Sequence, residues 1–146
     1  MMNYRDSTPT FVLILVFGLL AACEPVSVNQ SSTTLQSTVS VYRTLNVDQF
    51  ADILANRHSE YKIINVHIPY AGEIEGTQAN IPYNDSSALM TALPDKNAPI
   101  ILYCRSGRMS KEASLLLLQQ GYTQVWDIEG GMNAWVASGR SLVNIP

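Results

Sequence analysis

Cysteine is scarce in this 146-residue chain: Cys23 and Cys104 are the only two. Two thiols cannot build a disulfide framework or a four-thiolate zinc site. Charge is sparse as well, at 14% of residues, against roughly 25% in average soluble domains. Basic residues are the minority, 9 Lys and Arg against 12 Asp and Glu, for a net charge of −3. That balance argues against a sequence-blind nucleic-acid binder, which needs surplus cations to neutralise phosphates. No apolar run reaches the ~20 residues of a membrane-spanning helix. The length leaves little room for a second domain, and no internal repeat is visible. One small globular domain with something attached to it remains.

The attachment is N-terminal. Residues 11–22, FVLILVFGLLAA, are apolar but for one glycine, the length of an export-signal core rather than of a span. Leu20-Ala21-Ala22-Cys23 resembles the lipobox of bacterial lipoproteins. The resemblance implies cleavage before Cys23 and its acylation, which anchors a chain because each buried methylene adds about 0.8 kcal/mol. Residues 24–40 are rich in Ser, Thr and Gln and carry no charge after Glu24, so they lack the apolar surface to fold alone. A flexible chain of that length reaches roughly 20–25 Å. The expected organisation is a signal peptide over 1–22, a lipidated cysteine and tether over 23–40, and a folded domain over 41–146. The expected location is the cell envelope, membrane-anchored and facing the periplasm or exterior. A soluble periplasmic or secreted protein is the alternative.

From Val41 the pattern alternates between short apolar runs and helical segments. Residues 41–45, 62–66, 99–104 and 123–128 read as strands, the second and third so continuously apolar that both faces should be covered. Asn46 is a candidate cap for a helix whose Phe50, Ile53 and Leu54 face a core. Residues 111–120 read as a helix stopped by Gly121, with Leu115 to Leu118 touching neighbours on more than one side. Residues 132–138 form a last helix before Gly139. Strands alternating with helices predict an α/β fold, a mostly parallel sheet with helices on both faces.

Ligands of open α/β sheets sit beyond the carboxyl ends of the strands. There the third predicted strand ends in Cys104, and Arg105-Ser106-Gly107-Arg108-Met109-Ser110 leads into the next helix. Backbone amides and the helix dipole at such a turn favour a thiolate over a thiol. Arg105, Arg108 and Lys111 add positive charge, and Gly107 permits the tight curve that turns successive amides inward. A buried structural cysteine is the plain alternative.

Tyr103 through Ser110 resembles the active-site loop of single-domain rhodaneses. Gly130-Gly131-Met132-Asn133-Ala134-Trp135 is similar to that family's closing segment, and Asn80-Ile81-Pro82 to the segment after its first long loop. The resemblance implies a three-layer α/β/α sandwich and a sulfurtransferase. Cys104 would take a sulfane sulfur from a small sulfur-containing anion such as thiosulfate and pass it to a thiol or cyanide-like acceptor. Arg105, Ser106, Gly107, Arg108 and Met109 would form the substrate-binding and persulfide-stabilising loop. No cofactor or metal is implied. Three places depart from the family's pattern: Asn65-Val66-His67 at the end of the second strand, Glu73 to Thr77, and Met109 where an arginine is frequent.

Two rival readings stay open. A cysteine-dependent phosphatase also uses a thiolate in an anion-binding loop, but with an arginine six residues after the cysteine; Ser110 stands there. A non-catalytic envelope binding module on the same fold fits the altered segments. Of the remaining polar residues, His67 is a candidate proton or hydrogen-bond donor near the site. His58 is expected at the surface, Glu73 and Glu75 in a solvated loop, and Trp126 and Trp135 in packing roles.

Overall fold

Ile100 to Tyr103 form the central strand of the sheet, and all four side chains are buried. The computed structural model describes residues 41–146; the signal-peptide and tether readings lie outside the described residues. In chain order the elements are β1 (Arg43–Leu45), α1 (Val47–Asn56), β2 (Lys62–Asn65), β3 (Ala79–Asn80), α2 (Ser86–Ala92), β4 (Ile100–Tyr103), α3 (Arg108–Gln119), β5 (Val125–Ile128) and α4 (Gly131–Ala137). The five strands pair in parallel in the order β1-β5-β4-β2-β3.

Strand alternation divides the core in two. Ile64, Ile100, Leu102 and Val125 face one side, where α2 adds Leu89 and α3 adds Ala113 and Leu117. Ile63, Ile101, Tyr103 and Ile128 face the other, where α1 adds Phe50 and Ile53 and α4 adds Met132 and Trp135. This is the three-layer α/β/α arrangement, with the continuous apolar strands covered on both faces. Trp135 packs edge-on against Phe50, and Trp126 against Tyr61.

The helix ends follow local rules. Asn46 Oδ1 accepts from the amides of Asp48 and Gln49, and the Asn46 amide donates to Gln49 Oε1, a complete capping box. At the end of α3, Gly121 adopts φ 88°. Its amide donates to Leu118 O, and the Tyr122 amide to Leu117 O. That paired closure is a Schellman motif, sealed by Tyr122 and Leu117 meeting in the core. Of the four consecutive leucines, Leu117 is fully buried and Leu115 is exposed; burying Leu117 contributes about 2 kcal/mol.

Two expectations need correction. Helix α3 begins at Arg108, three residues before the expected start, because Gly107 turns the chain directly from loop to helix. His58 is half-buried rather than at the surface: its Nε2 is 2.7 Å from Gly76 O, which fastens the 73–77 segment to α1's end.

Candidate active site

Strand β4 delivers Cys104 to the carboxyl edge of the sheet, where the residue is 1% exposed. The chain reverses over Arg105 to Gly107 and enters α3. Gly107 makes the reversal possible with φ 92°, a left-handed conformation that side chains resist. Its amide donates to Cys104 Sγ at 3.1 Å. The Ser110 hydroxyl, fully buried in the first turn of α3, stands 3.4 Å from the same sulfur. The amides of Arg105, Ser106, Arg108 and Met109 have no protein acceptor among the described residues. They cluster at the start of α3, where an anion is favoured.

The loop side chains separate by role. Arg105 is exposed and lines a cavity of about 330 Å³ with Ala71, Met132, Asn133, Val136 and Leu142. Arg108 is engaged elsewhere: its Nη1 lies 2.7 Å from Glu112 Oε1 and its guanidinium 5.7 Å from the Tyr83 ring. Ser106 is exposed, and Met109 is half-buried against the α2–α3 core. The sequence-predicted loop is therefore assembled around Cys104, and Arg105 forms no ion pair among the described residues.

The backbone behind the cysteine is held at two points. The amides of Met132 and Asn133 donate to the carbonyls of Cys104 and Arg105, each at 2.9 Å. On the sheet face that α1 and α4 cover, Tyr103 is fully buried and its phenol accepts from the Ile74 amide at 3.0 Å and pairs with Thr77. Burial pushes its pKa up to about 12. This bond explains how the irregular 73–77 segment is placed, and Ile74 within it is fully buried.

The departures at β2 have structural work. Asn65 is buried; its Nδ2 donates to Gly72 O at 3.1 Å and its Oδ1 accepts from the His67 amide at 3.0 Å. It closes the 65–72 loop. His67 is half-buried, with Nδ1 unpartnered among the described residues. Burial, and then the Arg105 charge, hold its pKa below the ordinary value. Glu73 and Glu75 do not converge. Glu73 is half-buried and bonded to Asn80 and Asn144, while Glu75 is exposed.

Sequence reasoning missed the inward hydroxyl of Ser110 and the buried Asp127 on β5. The available signal for Asp127 was a carboxylate within the strand Val-Trp-Asp-Ile, where each neighbour is apolar. Among the described residues no three His, Cys, Asp or Glu side chains gather as metal ligands.

Comparison with known proteins agrees with this architecture. A sulfurtransferase of Allochromatium vinosum is 41% identical over 54 residues, 37% of this chain and 50% of the relative, so the match spans half of that protein's length. The thiosulfate sulfurtransferase PspE of Escherichia coli is 37% identical over 70 residues, 46% of this chain and 67% of the relative. A rhodanese-related protein of Thermoplasma volcanium superposes with a TM-score of 0.58 at 25% identity, over 70% of this chain and 98% of its own. The family model for the rhodanese-like domain matches residues 44–138, more than half of the sequence. The chain belongs to the rhodanese-like domain family.

Proposed function

We propose that this protein is a sulfurtransferase that carries sulfane sulfur on Cys104. The observation that carries the reading is the Gly107 amide, 3.1 Å from Cys104 Sγ, beside loop amides that have no acceptor among the described residues. Such a cradle favours an anion at the sulfur and at an atom attached to it. The names of the Allochromatium and Escherichia relatives support the same class of activity.

With thiosulfate as donor, the Cys104 thiolate attacks the outer sulfur. A sulfur–sulfur bond forms to Cys104, the donor's own sulfur–sulfur bond breaks, and sulfite leaves with the electron pair. The resulting Cys–S–S⁻ anion is held by the loop amides. An acceptor thiolate or cyanide then attacks the terminal sulfur and releases the Cys104 thiolate. Arg105 attracts the anionic donor to the mouth of the site. For residues 1–40 we propose acylation at Cys23 and a tether that holds the domain near a membrane; loss of palmitate labelling in Cys23→Ala tests that anchor.

The function is tested by incubating the full-length chain with thiosulfate and cyanide and following thiocyanate. Turnover that disappears in Cys104→Ser supports the reading. A folded protein that forms no thiocyanate with thiosulfate or other sulfane-sulfur donors favours the binding-module alternative.

A further inference from the structure

The cavity beside Arg105 takes part of its wall from the last residues of the sequence. Residues 139–146 lie beyond the 44–138 span that the rhodanese-like family matches. They turn back past α4, where the Trp135 indole donates to Ser141 O at 3.0 Å. Val143 and Glu73 then exchange backbone hydrogen bonds, at 2.8 and 3.0 Å, in an isolated antiparallel bridge. Asn144 Nδ2 donates to the Glu73 carboxylate at 2.6 Å. Ile145 packs on Gly72, where a β-carbon would stand 3.1 Å from its Cγ1. The segment thereby pins the loop that supplies Ala71 to the cavity, and it supplies Leu142 itself.

Charge and apolar surface are divided within this cavity. Arg105 is the one charged residue that lines it, and Asn133 the one other polar residue. Ala71, Met132, Val136 and Leu142 make up the rest. Val136 is 50% exposed. Of the five large apolar side chains exposed among the described residues, Tyr70 and Ile145 also belong here, one next to Ala71 in sequence and the other on Gly72. Clustered apolar exposure marks a place that a ligand or partner covers. The volume, about 330 Å³, falls at the lower end of sites for small organic ligands, roughly 300–1,000 Å³. Thiosulfate is too small to fill it. At the roughly 30 Å³ that one water takes in the liquid, its five heavy atoms need about 150 Å³. It is also ionic throughout and leaves the apolar wall without a partner.

We propose that the sulfur donor is an organic thiosulfonate, R–SO₂–S⁻ with an apolar R, whose anionic head meets Arg105 and whose R group lies against Met132, Val136 and Leu142. This choice of donor rests on the reading of Cys104 as the sulfur carrier. Arg105 adjoins Cys104 in the chain, so the charge of the substrate belongs next to the reacting sulfur, as it is in a thiosulfonate. The Cys104 thiolate attacks the outer sulfur and a sulfur–sulfur bond forms to Cys104. The donor's own sulfur–sulfur bond breaks, and the sulfinate R–SO₂⁻ leaves with the electron pair. The step differs from that with thiosulfate only in the group carried away, and the cavity holds that group.

The test is thiocyanate formation by the full-length chain from cyanide and either the methanethiosulfonate or the butanethiosulfonate anion. Their sulfinate leaving groups are nearly equal in basicity, so the ratio of the two kcat/KM values reads contact with the alkyl chain. The butane compound should be favoured about tenfold, the effect of three half-covered methylenes. Val136→Ser, at an exposed position outside the core, should reduce the ratio to about threefold, and Leu142→Ala should do the same. A purely structural role for these side chains would move both donors together and leave the ratio alone. Arg105→Gln should slow both donors alike, because both carry the anionic head; a changed ratio there overturns the placement of the head. In an active enzyme, a wild-type ratio near one, or a ratio unmoved in Val136→Ser, overturns the proposal and leaves the sulfurtransferase reading standing. If no donor yields thiocyanate, the sulfurtransferase reading fails instead. Titration calorimetry with methane- and butanesulfinate, which hold no sulfane sulfur, then decides the cavity on its own. Binding of the butane compound about tenfold tighter, weakened in Val136→Ser, keeps the ligand class; equal binding overturns it.

Discussion

The Met132 amide donates to the Cys104 carbonyl oxygen at 2.9 Å, tying the start of α4 to the residue that carries the proposed chemistry. The approach depends on Gly131, whose φ is 54° and where a β-carbon would overlap that same carbonyl oxygen. The Gly-Gly pair at the start of α4 thus holds the cysteine's backbone from behind, while the Gly107 amide addresses its sulfur from the front.

Gly131→Ala should therefore displace the loop as well as strain the turn. A left-handed alanine and the overlap together cost about 2–4 kcal/mol. Denaturant unfolding should show the loss in the midpoint, and thiocyanate formation should fall further than stability alone explains. A variant with unchanged midpoint and activity would contradict the packing described.

Tyr103→Phe leaves the Ile74 amide without its acceptor in a buried place. An unmet buried donor costs about 1–3 kcal/mol. The variant should unfold at lower denaturant, and proteolysis should first cut near residues 73–77, whose anchor it loses. Equal stability would mean that the phenol does not hold this segment.

The two loop arginines should respond differently to substitution. Arg105 lines the cavity and has no ion-pair partner among the described residues, whereas Arg108 is paired with Glu112 and lies near the Tyr83 ring. Arg105→Gln should raise KM for thiosulfate by about fivefold to tenfold, the loss of about 1 kcal/mol of charge attraction, with kcat little changed. Arg108→Gln should raise it less. Equal effects would mean that both cations reach the donor.

The buried Asp127 predicts a pH-dependent difference in stability. Burial raises its folded-state pKa above the ordinary 3.8. Between that value and the raised one, the folded state binds more protons than the unfolded state. Ionisation therefore costs stability as pH rises through the window. Asp127→Asn removes this cost, so its Tm relative to wild type should climb from acidic to neutral pH. A difference that is flat with pH would contradict the carboxyl's placement.

The parts of this protein legible in its sequence are those governed by neighbours along the chain. The apolar run Ile100 to Tyr103 reads as a strand covered on both sides, and Asn46 with Gln49 reads as a cap, because each depends on a few adjacent residues. The reactive loop is legible for the same reason, with Gly107 and Cys104 three residues apart. The short elements are not: α2 has seven residues and one fully buried anchor, Leu89, too little for a periodic signal. The bond between Tyr103 and Ile74 spans 29 residues, and that between Tyr42 and Asp127 spans 85. Such pairs follow from strand order, which local patterns do not specify. His58 looked like a surface residue until the fold carried Gly76 to it.

The central claim is that Cys104 accepts sulfur. The most direct measurement is the mass of the full-length chain after brief exposure to thiosulfate, with the modified peptide identified. A gain of one sulfur atom is expected on the peptide containing Cys104, removed by cyanide and absent in Cys104→Ser. A folded wild-type protein whose Cys104 stays unmodified across a panel of sulfane-sulfur donors would contradict it.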